Sequence, residues 1–218
     1  IVDDATGNEG FAIGDLRVTD ALVIVPRGVA LPGGAVPALG SVCKNGHAAL
    51  TSFSEALRKG AQAALDIDPS ELTVGLQSRQ VNGVISAGIY LADTLENGAG
   101  FASELGRPEV LEAVVHEVAS ALQGFWTSEG HDCSTSCPDC LRSWDNRHLH
   151  PILDWRLAVD IAELCLGKDL DLQRWEALAR RAASNFVAAY RGALDGLTEL
   201  EVAGLRAISH AGTAVLLT

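Results

Sequence analysis

The sequence contains no methionine at all, so Ile1 does not correspond to a start codon, and the 218 residues are expected to be a piece of a longer product or one with a processed end. It has no apolar run near the roughly 20 residues needed to cross a bilayer, and its first residues lack the basic, apolar, small-residue order of a signal peptide. A cytoplasmic home with no membrane partner is therefore expected. Positive charge is scarce: 16 Lys and Arg stand against 28 Asp and Glu, a formal net charge of -12. Such a chain is repelled as a whole by a phosphate backbone, so any nucleic-acid contact must be confined to a local patch. No Gly-x4-Gly-Lys-Ser/Thr segment occurs, which excludes ATP hydrolysis by the P-loop route within this stretch.

What is present is the composition of a folded protein, 48% hydrophobic and 20% charged. Residues 1–42 mix Gly, Pro and Asp with short β-branched runs such as Ala21–Pro26, and read as a β-rich lead-in from a preceding domain. Leu50, Phe53, Leu57, Ala61 and Ala64 recur at helical spacing, which predicts a helix over 48–65. Strands are expected over 72–76 and 84–92, joined by turn residues at 79–83; the second is apolar on both faces, as in a central strand. Pro108 opens a helix marked by Leu111, Val114, Val115, Val118 and Leu122 that is expected to stop near Gly124. A further helix is expected from Pro151, with a stripe of Leu153, Leu157, Ile161 and Leu164, followed by another over 170–191 and a terminal hairpin near 200–217. The expected organisation is a lead-in at 1–42, a metal-binding module at 43–167, and a helical extension with hairpin at 168–218.

Three of the five cysteines fall between Cys133 and Cys140, a poor basis for disulfides but suitable spacing for a metal in a reducing compartment. Zinc takes about four ligands in a tetrahedron, and Cys137-Pro138-Asp139-Cys140 can present two thiolates from one tight turn. Cys133 is close enough to join, and His131 can supply a nitrogen, so His131, Cys133, Cys137 and Cys140 form the leading ligand set. His148 and His150 compete for the fourth position, and Cys43 with His47 could also reach in. The same Cys-x3-Cys-x2-Cys spacing holds an iron-sulfur cluster in radical-SAM enzymes. That arrangement needs a strand before the cysteines and strand-helix units after them, whereas here a helix precedes and mainly helices follow.

The stretch Ile89–Phe101, with its Tyr90-x-x-Asp93 and glycine turn, followed by Cys133–Leu141, resembles the MrfA-type zinc-binding domain at the C-terminal end of superfamily 2 DNA helicases and of helicase-associated anti-phage (DISARM-like) proteins. The resemblance spans about residues 43–165. It implies an α/β fold, with a small mixed sheet covered by helices and a zinc-stapled loop. It also implies a non-catalytic accessory domain that contacts DNA and a helicase core domain or subunit, within an ATP-dependent helicase or its partner. Cys133, Cys137 and Cys140 match family cysteines, and His131 stands where some members have another cysteine.

Two further features weigh on function. Asn97-Gly98-Ala99-Gly100 follows a strand and precedes a helix, so the Asp93–Gly100 loop could cradle a phosphorylated substrate in a stand-alone enzyme, the alternative reading. Tight turns need glycine for the same positions without any ligand. Arg142, Trp144, Arg147, His148 and Arg156 form a local basic and aromatic cluster, from which Arg142, Trp144 and Arg147 are expected to meet nucleic acid; the cluster could equally anchor the zinc loop against the Asp145 and Asp154 carboxylates.

Overall fold

Periodic burial decides where the first long helix runs. Leu50, Phe53, Leu57 and Ala61 are all buried on one side of α1 (Lys44–Leu65), which starts four residues before the predicted boundary. It ends where Asp66 takes a left-handed conformation, φ 52°, so that the amide of Ile67 returns to the Gln62 carbonyl. The structure, a computed structural model, describes residues 2–3, 9–10, 16–25, 44–81, 84–127, 131, 133–202 and 205–217. Its chain divides into two units, 1–168 and 169–218.

In the first unit, β1 (Val2–Asp3) and β2 (Glu9–Gly10) pair with each other. The main sheet has β5 (Val84–Asp93) at its centre, flanked by β3 (Ala21–Ile24) and β4 (Leu72–Val81). The central place expected of β5 is explained by Ala87, Ile89, Leu91 and Ala92, which are all buried, so both faces are covered. Where a mixed sheet was expected, every pairing among the described residues is antiparallel, including β3 with β5, which α1 and β4 separate in sequence. β4 also outruns its prediction. Arg79 and Gln80, expected in the turn, pair with Ser86 and Ile85.

α2 (Phe101–Leu105) and α3 (Pro108–Thr127) follow the sheet. Gly60 of α1 lies so close to α3 that a Cβ there would stand 2.5 Å from Val118 Cγ2, so glycine sets the spacing of this helix pair. α3 continues past Gly124 to Thr127. Gly in a helix costs roughly 1 kcal/mol relative to Ala, and here Phe125 and Trp126 beyond it pack edge-on against Trp155. After a short 3-10 turn at Arg147–Leu149 comes α4 (Trp155–Cys165). The helix start expected at Pro151 is corrected to Asp154, whose carboxylate accepts from the Arg156 amide and so caps the helix. The buried apolar residues of α4 are Trp155, Ala158, Val159, Ile161 and Ala162, with Leu157 and Leu164 only partly covered, so the stripe is rotated from the predicted one.

The second unit has α5 (Leu172–Tyr190), capped by Asp171, and a three-stranded sheet of β6 (Thr198–Val202), β7 (Leu205–His210) and β8 (Thr213–Leu216). Ala183, Val187, Leu197 and Ile208 form its small core. Where a terminal hairpin was expected near 200–217, three strands form a meander. Ala211 and Gly212 both have positive φ, 49° and 79°, the geometry of a tight hairpin turn between β7 and β8. The α/β class holds throughout. Among the described residues no helix is long and apolar enough to cross a membrane.

Candidate metal centre

Between α3 and α4 the described residues have almost no regular structure and fold instead around the cysteines. The amides of Cys140, Leu141 and Arg142 all donate to the Cys137 carbonyl, at 3.2, 3.1 and 2.9 Å, which closes the Cys137–Cys140 turn. Within that turn the Cys137 amide points at Cys140 Sγ, 3.0 Å away. Cys133 brings its Sγ to 3.8 Å from Cys140 Sγ and 3.1 Å from His131 Nε2. One donor atom from each of His131, Cys133, Cys137 and Cys140 lies within 4.8 Å of all the others. A zinc tetrahedron with metal-sulfur bonds of about 2.3 Å has sulfur-sulfur edges of about 3.8 Å. The donor set fits that ion in both element type and spacing.

Aromatic packing sets the imidazole. His131 stacks on Phe125, with ring centroids 3.9 Å apart at 13°, and meets the edge of Trp155 at 5.7 Å. The competing histidines are placed otherwise. His150 Nε2 sits 3.0 Å from both the Ser143 carbonyl and Asn146 Oδ1, while His148 is exposed. His47 lies half-buried on α1, and Cys43 falls outside the described residues.

Burial pushes the Cys133 thiol up to about 12, and the nearby Cys140 and Cys137 sulfurs add to the rise. Burial likewise raises Cys140. At Cys137 burial is opposed by hydrogen bonds from the Cys140 and Asp139 amides and from neighbouring thiols, and the net shift is downward. Three sulfurs this close repel one another as thiolates. A divalent cation reverses that balance, since a coordinated thiol is deprotonated outright.

Two cations hold the loop from outside. Arg156 donates to the Ser134 and Cys133 carbonyls, and its guanidinium lies 4.5 Å from the Trp155 ring centroid. It is therefore buried in the module, with Nη1 3.7 Å from Asp154 Oδ1, the loop-anchoring one of the two arrangements open to the cluster. Lys59 of α1 donates to the carbonyls of Pro138, Cys140 and Arg142. The sequence offered no sign of that role for Lys59, about eighty residues away. A buried polar set continues the link to α1: Asn146 donates to Glu55 Oε2 and to the Leu141 carbonyl, both within 2.9 Å, and Arg58 pairs with Glu55 at 2.8 Å.

Residues 53–141, running from the middle of α1 through the last cysteine, match the family described as MrfA Zn-binding domain. The chain carries an MrfA Zn-binding domain. Its cofactor is zinc. The chain is also similar to Druantia protein DruE of Escherichia coli (strain UMEA 4076-1), 33% identical over 122 residues, which are 54% of this chain and 6% of that protein. Among solved structures it resembles the DUF1998 helicase MrfA bound to DNA, at TM-score 0.36 and 17% identity, covering 57% of this chain and 16% of that one. The same helicase bound to DNA and AMPPNP gives TM-score 0.34 and 18% identity, covering 48% and 14%. The chain thus spans a small part of each of these relatives.

The glycine loop within the MrfA Zn-binding domain is closed by a side chain of its own. Asp93, buried at the end of β5, accepts the amides of Ala99, Gly100 and Phe101 on Oδ2 and of Ala102 on Oδ1, at 2.7–3.2 Å. The backbone donors that could have received a phosphate already hold the protein's own carboxylate. This overturns the reading of the Asp93–Gly100 loop as a substrate cradle. Asn97, Gly98 and Gly100 have φ of 69°, 80° and 89°, the conformation that wraps the loop around Asp93. Trp144 is 78% exposed, and Arg147 lies over its ring at 4.8 Å. Arg142 is half-buried, its Nε donating to Ser136 Oγ at 2.9 Å.

Proposed function

We propose that His131, Cys133, Cys137 and Cys140 hold one zinc ion, and that the module at 43–167 is a non-catalytic accessory part of a helicase or helicase-associated defence protein. The observation that carries this reading is the convergence of the four donor atoms within 4.8 Å. With all four ligands from the protein, no coordination position remains for water, so the ion neither polarises a substrate nor generates hydroxide. Its work is mechanical: it ties the end of α3 to the turn that rests on α1 and α4. The family match and the likeness to DruE support a place in a larger assembly, with a helicase core domain or subunit as partner. DNA contact falls to the rim of the zinc loop. There the exposed Trp144 offers a stacking face and Arg147, beside Arg142, offers positive charge in an acidic chain.

Elemental analysis should find one zinc per chain, and chelation should unfold the first unit. An intact fold after metal loss, with turnover of a nucleotide or phosphoester, would overturn the reading. For the DNA contact, Trp144→Ala in the full-length protein should weaken single-strand binding by about 1–3 kcal/mol, the usual worth of one base stacked on an aromatic ring. Reversing the charges of Arg142 and Arg147 should weaken it further. Unchanged affinity in all of these variants would remove DNA from the proposal.

A further inference from the structure

An ammonium has three donors, and Lys59 spends all three on the zinc loop: Pro138 O at 3.2 Å, Cys140 O at 3.0 Å and Arg142 O at 3.1 Å. In a trans peptide the carbonyl and the next residue's amide point opposite ways, so fixing the Pro138 and Cys140 carbonyls outward keeps the Asp139 amide turned to the Cys137 sulfur and the Leu141 amide to the Cys140 sulfur. Zinc with three thiolates and a neutral imidazole bears one net negative charge, and this chain is already strongly acidic. A cation beside the turn offsets that charge. We propose that Lys59 is a positioning residue of the zinc centre, acting through both its three carbonyl contacts and its charge. The inference rests on the ligand set proposed above. It makes α1, the core helix, part of the metal site, since Lys59 lies two turns beyond the buried Leu50 and Phe53.

The test uses the full chain and two variants. Lys59→Met keeps the length of the side chain and removes its charge and donors; Lys59→Arg keeps charge and donors. Zinc affinity is read by competition with a chromophoric chelator, and the ligand field by the spectrum of the cobalt-loaded protein. Lys59→Met should bind zinc about 10–100-fold more weakly, the usual effect of losing an outer partner of a metal ligand. Its thiolate-to-cobalt charge-transfer band should move to longer wavelength, because sulfur without a nearby cation gives up electron density more easily. Lys59→Arg should retain most of the affinity and the wild-type spectrum. The proposal is overturned if Lys59→Met matches wild type in both readouts, or if Lys59→Arg is weakened as much as Lys59→Met. Should Lys59→Met fail to fold, Lys59→Arg decides alone: near-wild-type affinity and spectrum support the proposal, and their loss overturns it. A wild-type chain that takes up no zinc would instead overturn the ligand assignment beneath it.

Discussion

Replacing Asp93 separates the accessory-domain reading from the enzymatic one most sharply. Its carboxylate is buried and accepts four backbone amides, three on one oxygen and one on the other. Asp93→Ala leaves those donors without their anion, in a loop whose left-handed residues give them little freedom to turn elsewhere. A hydrogen bond to a charged group is worth roughly 1.5–3 kcal/mol net, and bonds sharing one acceptor are not additive. Water reaching the more open amides recovers part of the loss, so a cost of about 3–5 kcal/mol is expected. Asp93→Asn keeps one oxygen, which can serve the three clustered amides while its NH2 faces Ala102, and should cost about half as much. Urea unfolding of the zinc-loaded protein measures both. Inorganic phosphate should stabilise Asp93→Ala more than wild type, because only the variant has an empty anion nest. A loss below 1 kcal/mol for Asp93→Ala, or phosphate binding to the wild-type loop, would refute the argument that the loop is filled by its own side chain.

The fourth ligand is tested by a pair of variants. His131→Ala should lose zinc affinity and alter the cobalt spectrum, whereas His150→Ala should leave both unchanged and cost stability through its contacts with Ser143 and Asn146. The reverse result would move the ligand to His150. Asp154 gives a pH test. Burial raises its pKa above the ordinary carboxylate value of about 4, against the opposing Arg156 amide and guanidinium. The folded state therefore takes up the proton more readily than the unfolded one. As pH falls through the raised pKa toward the ordinary value, zinc-loaded wild type should gain stability relative to Asp154→Asn. A difference that is flat over that window, or that moves the other way, would show that Asp154 is not strained by burial. Asp154→Ala, which removes the helix cap altogether, should cost about 0.5–2 kcal/mol when followed by the same unfolding measurement.

Local pattern was enough where local energy decides. The period of Leu50, Phe53 and Leu57 marks α1 because one face of that helix is fully buried, and the double-sided apolar run of β5 marks a strand with neighbours on both edges. The Cys-x3-Cys-x2-Cys spacing was legible because a metal needs its donors within a few ångströms, and short sequence separation is the simplest way to supply them. Competing local signals were harder. Pro151 and Asp154 both announce a helix, and Asp154 prevails because its carboxylate satisfies a helix amide while Pro151 falls in the preceding turn. Charged residues were the least legible. Arg156 stands near Arg142 and Arg147 in sequence, and pattern alone left open whether it faced a phosphate or anchored the loop; its guanidinium turns inward onto Trp155 and the loop carbonyls, where the ring face and those oxygens compensate for lost water. Lys59 looks like any lysine on a helix surface until the zinc turn, from beyond the whole sheet and α3, is laid against it. Both cations face carbonyls that exist only once the cysteines have gathered. The metal loop thus creates its own charged partners, and the sequence alone shows the ligands and leaves Arg156 with two possible roles, but gives no sign of Lys59.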